Sequence, residues 1–231
     1  MSPPKPITLD ELQRELPLNE WESWLQSRLA HFGSTREGLA YKRFNSGPMK
    51  VVKEEIIPTL LLLERRFKGE DIFVAFSADN NSAADAFIRP ASAANATPLQ
   101  ITCNLDHDDH LRLQILHRDG MVPGAGPITR VGGRLEAEGR AYFTEEVVAE
   151  IAGTIIDRLN SKARKFANYD PSTWLLVYID DARLPMKGLP ILLETIRNDA
   201  AESPFVATFL VGSHPEHRIC ELIGGTAKWV S

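Results

Sequence analysis

A mixed α/β fold is the class this sequence predicts: a central sheet flanked by helices, with an N-terminal helical extension. Three observations predict it. The run Trp174-Leu175-Leu176-Val177-Tyr178-Ile179 is apolar throughout and stops at Asp180-Asp181, the pattern of a strand buried on both faces. A helix capped by Thr144 and running to about residue 166 carries Val148, Ile151, Ile155 and Leu159 at helical spacing. Between them in type, three short strand-like segments at 72–77, 85–89 and 99–104 are separated by turn-rich stretches.

The remaining elements follow in order. Thr8-Leu9-Asp10-Glu11 has the form of a capping segment, feeding one or two helices through about residue 32. Residues 33–48 read as a connection. A helix over about 49–67 places Val52, Ile56, Leu60, Leu63 and Phe67 on one stripe, and Pro58 must kink or split it. A further helix is expected over 106–118. The stretch 120–140 has no clear period and reads as a long excursion. A helix at 189–201 and strands at 205–211 and 218–222 complete the chain. Residues 1–48 form the extension and 49–231 the α/β core.

The chain has 231 residues, of which 43% are hydrophobic and 25% charged, so a sizeable core is within reach. A formal net charge of -5 excludes a generally polyanion-coating protein; nucleic acid would have to be met by a local basic patch. Cys103 and Cys220 lie far apart in apolar runs and offer neither a disulfide framework nor a zinc spacing. The apolar run 56–63 is too short to cross a bilayer and contains a proline. The proline-rich start lacks the apolar segment of a signal peptide, so a cytoplasmic location without a membrane is expected.

The chemistry-bearing constellation lies on the second and third strands. Gln100 and Thr102 alternate onto one face, and Asp85 reaches the same face if the strands pair. With Glu54 or Glu55 from the helix above, a carboxylate, an amide oxygen and a hydroxyl give hard donors suited to magnesium or manganese. Such a cation activates water and stabilises charge on a phosphodiester. The alternative is the plain polar face of a half-buried strand.

These residues resemble the PD-(D/E)XK nuclease-like superfamily, in a bacterial branch with a degenerate motif. Four pieces carry the resemblance in order: Lys50-Val51-Val52-Lys53-Glu54-Glu55-Ile56-Ile57-Pro58, Ala84-Asp85-Ala86-Phe87-Ile88, Leu99-Gln100-Ile101-Thr102-Cys103, and Lys162-Ala163-Arg164-Lys165-Phe166 before Tyr169 and the strand at 174. They span about 49–180, and their order implies a restriction-endonuclease-like core. The resemblance implies a metal-dependent nuclease acting on nucleic acid, DNA ahead of RNA, with Asp85, Gln100 and Glu55 as ligands of Mg2+ or Mn2+. Gln100 stands where an acidic residue is usual, which removes one negative charge. Thr102 stands where a lysine is usual, and a hydroxyl supplies no cation. Lys162 or Lys165 would then stand in for it, with Lys162 continuing the buried row of its helix toward Asp85 and Lys165 nearer solvent. A catalytically degenerate binding or assembly module is the rival implication.

Two further features carry less chemistry. His107 and His110 are three apart and would share a helix face, but no third ligand stands at a zinc spacing. The segment 120–127 lacks the lysine and helix of a phosphate-cradling loop. With Arg118, Arg130, Arg134 and Arg140 around it, it could serve as a substrate-contacting flap.

Overall fold

The computed structural model describes residues 6–43, 47–77, 82–104, 107–122, 128–137, 139, 143–215 and 218–229; for residues 36, 42, 43 and 107–110 it describes the backbone alone. The extension comprises helix α1 (Leu9–Leu12), a short strand β1 (Leu16–Pro17), and helices α2 (Leu18–Gly33) and α3 (Arg36–Arg43). Helices α4 (Pro48–Val51) and α5 (Ile57–Arg66) follow, joined through a π-helical turn at Val52–Ile56. Strands β2 (Ile72–Phe76), β3 (Ala86–Pro90) and β4 (Thr97–Asn104) lead to helix α6 (His107–Asp119) and the hairpin β5 (Ile128–Val131) and β6 (Arg134–Ala137). Helix α7 (Thr144–Ala163), strand β7 (Trp174–Ile179), helix α8 (Leu189–Ala201) and strands β8 (Ala207–Gly212) and β9 (Cys220–Gly225) end the chain.

Seven strands form one mixed sheet in the order β1-β2-β3-β4-β7-β8-β9. β4, β7 and β8 run parallel at its centre, and the outer pairs are antiparallel. One face of the sheet carries Leu99, Ile101, Trp174, Leu176 and Phe209 against α1, α2 and the 48–66 helix. The other carries Leu175, Val177, Ile179 and Leu210 against α7 and α8. Both predicted stripes are buried: Val52, Ile56, Leu60, Leu63 and Phe67 on the first face, Val148, Ile151, Ile155 and Leu159 on the second. The all-apolar β7 is buried at every position because it has helices on both sides.

Four expectations change. The connection at 33–48 contains α3, and the edge of the sheet gains β1, whose two residues pair with Val74 and Phe73. Thr144 is the first residue of α7 rather than its cap; the Glu146 carboxylate accepts the Phe143 N–H at 3.3 Å. The stretch 120–140 holds the β5–β6 hairpin, turned at Gly132-Gly133, where φ is +55° and +84°. A two-residue turn with both φ positive is the type I′ geometry that fits strand twist, and glycine adopts it freely. Residues 123–127 and 140 lie outside the described residues.

The extension shares the first core. Trp21 is fully buried, meets Phe76 edge-on, and donates its indole N–H to the Val74 carbonyl at 2.9 Å. Thr8 and Glu11 form the expected reciprocal cap. No described helix is long and apolar enough to cross a membrane.

Candidate active site

The site originates in a mismatch of strand lengths. β3 pairs with β4 only as far as Ala86 opposite Leu99, while β4 continues to Asn104 along β7. From Gln100 onward the other edge of β4 is therefore open, and the sheet forks. Asp85 stands at this fork. Its own N–H donates to the Leu99 carbonyl at 2.9 Å, and its Oδ2 accepts the Ile101 N–H at 2.6 Å. The carboxylate thus takes over an edge donor that β3 no longer reaches.

Gln100 and Thr102 project toward α7, as alternation requires. Gln100 is 2% exposed and both ends of its amide are engaged. Nε2 donates to the Ala83 carbonyl at 2.7 Å, and Oε1 accepts from Lys162 Nζ at 2.5 Å. The same ammonium lies 3.6 Å from Asp85 Oδ2. Lys162 therefore does point at Asp85, from the row that buries Ile151, Ile155 and Leu159, whereas Lys165 is exposed. Thr102 is half-buried on the cleft wall, and Arg158, one turn before Lys162, lines the mouth.

Glu54 and Glu55 arrive from the opposite side of the sheet, which corrects the expectation of a single face beneath their helix. Ile101 and Cys103 pack on their side, Gln100 and Thr102 on the other, and the two groups meet only across the open edge of β4. The local fold that presents them depends on Pro58. Lacking an N–H, it cannot satisfy the Glu54 carbonyl four residues back. The Cys103 thiol donates to that oxygen at 3.2 Å, and burial pushes the thiol's titration far up, so it stays a neutral donor. The π-turn lies immediately before the proline, where an irregular ladder costs least. The Glu55 carboxyl is pushed up to about 7, first by burial, then by Asp85 and Glu54; Lys162 and Lys50 oppose the rise.

The result is a polar cleft of about 430 Å³ in which Glu54, Glu55 and Asp85 face Lys50, Arg158 and Lys162. Lys50 also reaches Glu54 at 3.8 Å, one helical turn away. Sequence reasoning passed over Lys50 and Cys103. The four-residue spacing of Lys50 and Glu54 and the position of Pro58 were the signals for them.

Among the described residues, no group of three histidine, cysteine or acidic side chains is close enough to hold a metal ion. Gln100 Oε1 is taken by Lys162, so the donors that fit a cation are Asp85 and Glu55. Magnesium keeps several waters and needs only one or two carboxylates, which this pair can provide. The side chains of His107 and His110 lie outside the described residues. Arg118 chelates Asp119 and donates to the Leu135 carbonyl at 3.1 Å, while Arg134 lies 3.8 Å from Asp119. Those two flap arginines thus tie the hairpin to α6.

A larger groove of about 730 Å³ runs between the start of α2, the end of α5 and β2. It is lined by Glu20, Glu22, Glu64, Glu70 and Asp71 against Lys68 alone, and Glu22 is raised by burial and by Glu64. Such a wall repels a phosphate backbone, so size does not make it the better site. No family model, curated protein or solved structure matches the chain.

Proposed function

We propose that the fork between β3 and β4 is a PD-(D/E)XK-like site that hydrolyses phosphodiester bonds of nucleic acid, DNA ahead of RNA, with Mg2+ or Mn2+, in the cytoplasm. The observation that carries this reading is the ammonium of Lys162, 3.6 Å from the Asp85 carboxylate and on the opposite side of the strand edge from Glu55. It supplies the positive charge that Thr102 cannot. The succession of the 48–66 helix, β2, β3, β4, α7 and β7, with β4 and β7 parallel, supports the restriction-endonuclease-like core.

Asp85 and Glu55 are the residues to hold the cation, which when bound lowers the pKa of water and offsets charge on the phosphodiester. Asp85 is oriented for this by the Ile101 N–H, which fixes one carboxylate oxygen. Lys162 holds positive charge beside Asp85, where it can orient a nucleophilic water or steady the developing phosphorane oxygens. Lys50 and Arg158, exposed at the mouth, suit phosphates flanking the scissile one.

The test is manganese-dependent cleavage of DNA and RNA by wild-type protein and Asp85→Asn. We expect cleavage that falls by at least ~100-fold in the variant; retained cleavage in a folded Asp85→Asn places the chemistry elsewhere. A binding or assembly module is the second reading, favoured by one observation: Gln100 is spent on Ala83 and Lys162 instead of being held open.

A further inference from the structure

We infer that Lys162 is a built-in competitor for the cation, a tethered positive charge that occupies the cation's place until a divalent ion displaces it. The inference rests on the cation reading of the fork proposed above and extends it to how the site is loaded.

The geometry is that of one charge shared by two sets of oxygen donors. Lys162 Nζ is 2.5 Å from Gln100 Oε1 and 3.6 Å from Asp85 Oδ2. An ion held by Asp85 and Glu55 that also drew in Gln100 Oε1 would occupy the same small volume. Two positive centres a few ångströms apart repel strongly even at an effective dielectric near 20. The ammonium must therefore withdraw before Gln100 can join Asp85 in coordination. It has somewhere to go. Its side chain is 21% exposed, and it borders the open cleft in which Glu54 provides an alternative partner. Gln100 cannot turn aside in the same way, because its Nε2 is anchored on the Ala83 carbonyl within a 2%-exposed position. The movable member of the pair is the lysine.

A neutral amide at position 100 fits this arrangement. A carboxylate there would bind the ammonium as a buried ion pair and make its withdrawal costly. Glutamine holds the lysine by one hydrogen bond that a divalent ion can replace. Lys162 then has two duties that separate under mutation: it weakens cation binding in the resting protein and assists at the phosphodiester once displaced.

The experiment is calorimetric titration of the full chain with manganese alone, using wild type, Lys162→Met and Lys162→Met/Asp85→Asn. We expect Lys162→Met to bind at least about tenfold more tightly than wild type, and the double variant to lose that gain. Unchanged or weaker binding by a folded Lys162→Met, with wild type binding, overturns the competitor role and leaves the cation reading in place. No binding by either protein overturns both. A measurement on wild type alone guards against a variant that fails to fold. The ¹⁵N signal of the Lys162 ammonium, protected by its bond to Gln100, is expected to shift and lose protection on saturation with magnesium. A resonance unchanged at saturation contradicts displacement.

Discussion

At the corner where β7 and β8 end, Asp181 is completely buried, and its Oδ1 accepts the His214 N–H at 2.6 Å and the Ser213 hydroxyl at 3.1 Å. Asp180 accepts the Ala182 N–H and reaches the same serine. A Cβ on Gly212 would come within 2.5 Å of Asp181 Oδ2, so the strand approaches the carboxylate as closely as a backbone can. At the fork, by contrast, Asp85 is half-exposed, Glu55 stays protonated to about pH 7, and three cations face three carboxylates across open space. Both regions put acidic residues at strand ends. The first spends them on backbone donors and locks a corner. The second gathers them around an open cleft, where the Glu55 carboxyl is raised first by burial and then by Asp85 and Glu54. The difference teaches that carboxylate density does not mark a site; what marks one is charge of both signs gathered around an open cleft.

Substitution at the corner has the largest expected effect on stability. Asp181→Ala removes a fully buried carboxylate and the acceptor that the part-buried His214 N–H and Ser213 hydroxyl share, and we expect a loss of about 3 kcal/mol in chemical denaturation. A loss under ~1 kcal/mol would remove the contrast between the two regions.

The fork responds in the other direction. Below about pH 4.5 Glu55 is protonated both folded and unfolded, and it costs nothing. Between there and about 7 the unfolded chain releases the proton while the folded one keeps it, so stability falls as pH rises and levels off above 7. Glu55→Gln removes this cost. We expect the variant to match wild type at pH 4 and exceed it by about 1–3 kcal/mol at pH 8, with magnesium raising Tm at pH 8 for wild type and not for the variant. Parallel pH–stability curves would mean that neither burial nor the neighbouring carboxylates raise the Glu55 carboxyl.

A smaller effect is expected at Gln100. Gln100→Glu turns a donor facing the Ala83 carbonyl into an acceptor, setting oxygen against oxygen, while its other oxygen gains an ion pair with Lys162. The net expectation is a loss of about 1 kcal/mol at neutral pH by thermal denaturation; a gain would mean that the ion pair outweighs the lost donor.

Much of this architecture was legible because it rests on periodicity. Val52 to Phe67 and Val148 to Leu159 repeat at helical spacing, and the apolar run at 174–179 permits only a doubly covered strand. Alternation also placed Gln100 and Thr102 together, and helical spacing put Lys162 on the sheet-facing row, so the lysine's approach to Asp85 could be expected from the sequence. Elements set by tertiary contact were not legible. β1 is two residues that exist as a strand because Val74 and Phe73 offer an edge. The β5–β6 hairpin is too short and too charged for its alternation to stand out, and only Gly132-Gly133 announces it. That Glu55 can meet Asp85 across the sheet depends on where β3 stops pairing with β4, which no residue type encodes. Gln100 was expected to present its oxygen to a cation; its engagement by Lys162 depends on a helix residue 62 positions away.

The most direct test of the fork as a phosphodiester site is the rate of manganese-dependent DNA cleavage by wild type and by Lys162→Met, compared at saturating manganese so that differences in cation affinity drop out. We expect wild type to cleave and the folded variant to be slower by at least ~100-fold. Equal rates in the two proteins, or no cleavage by wild type at any manganese concentration, would contradict the assignment of this chemistry to the fork.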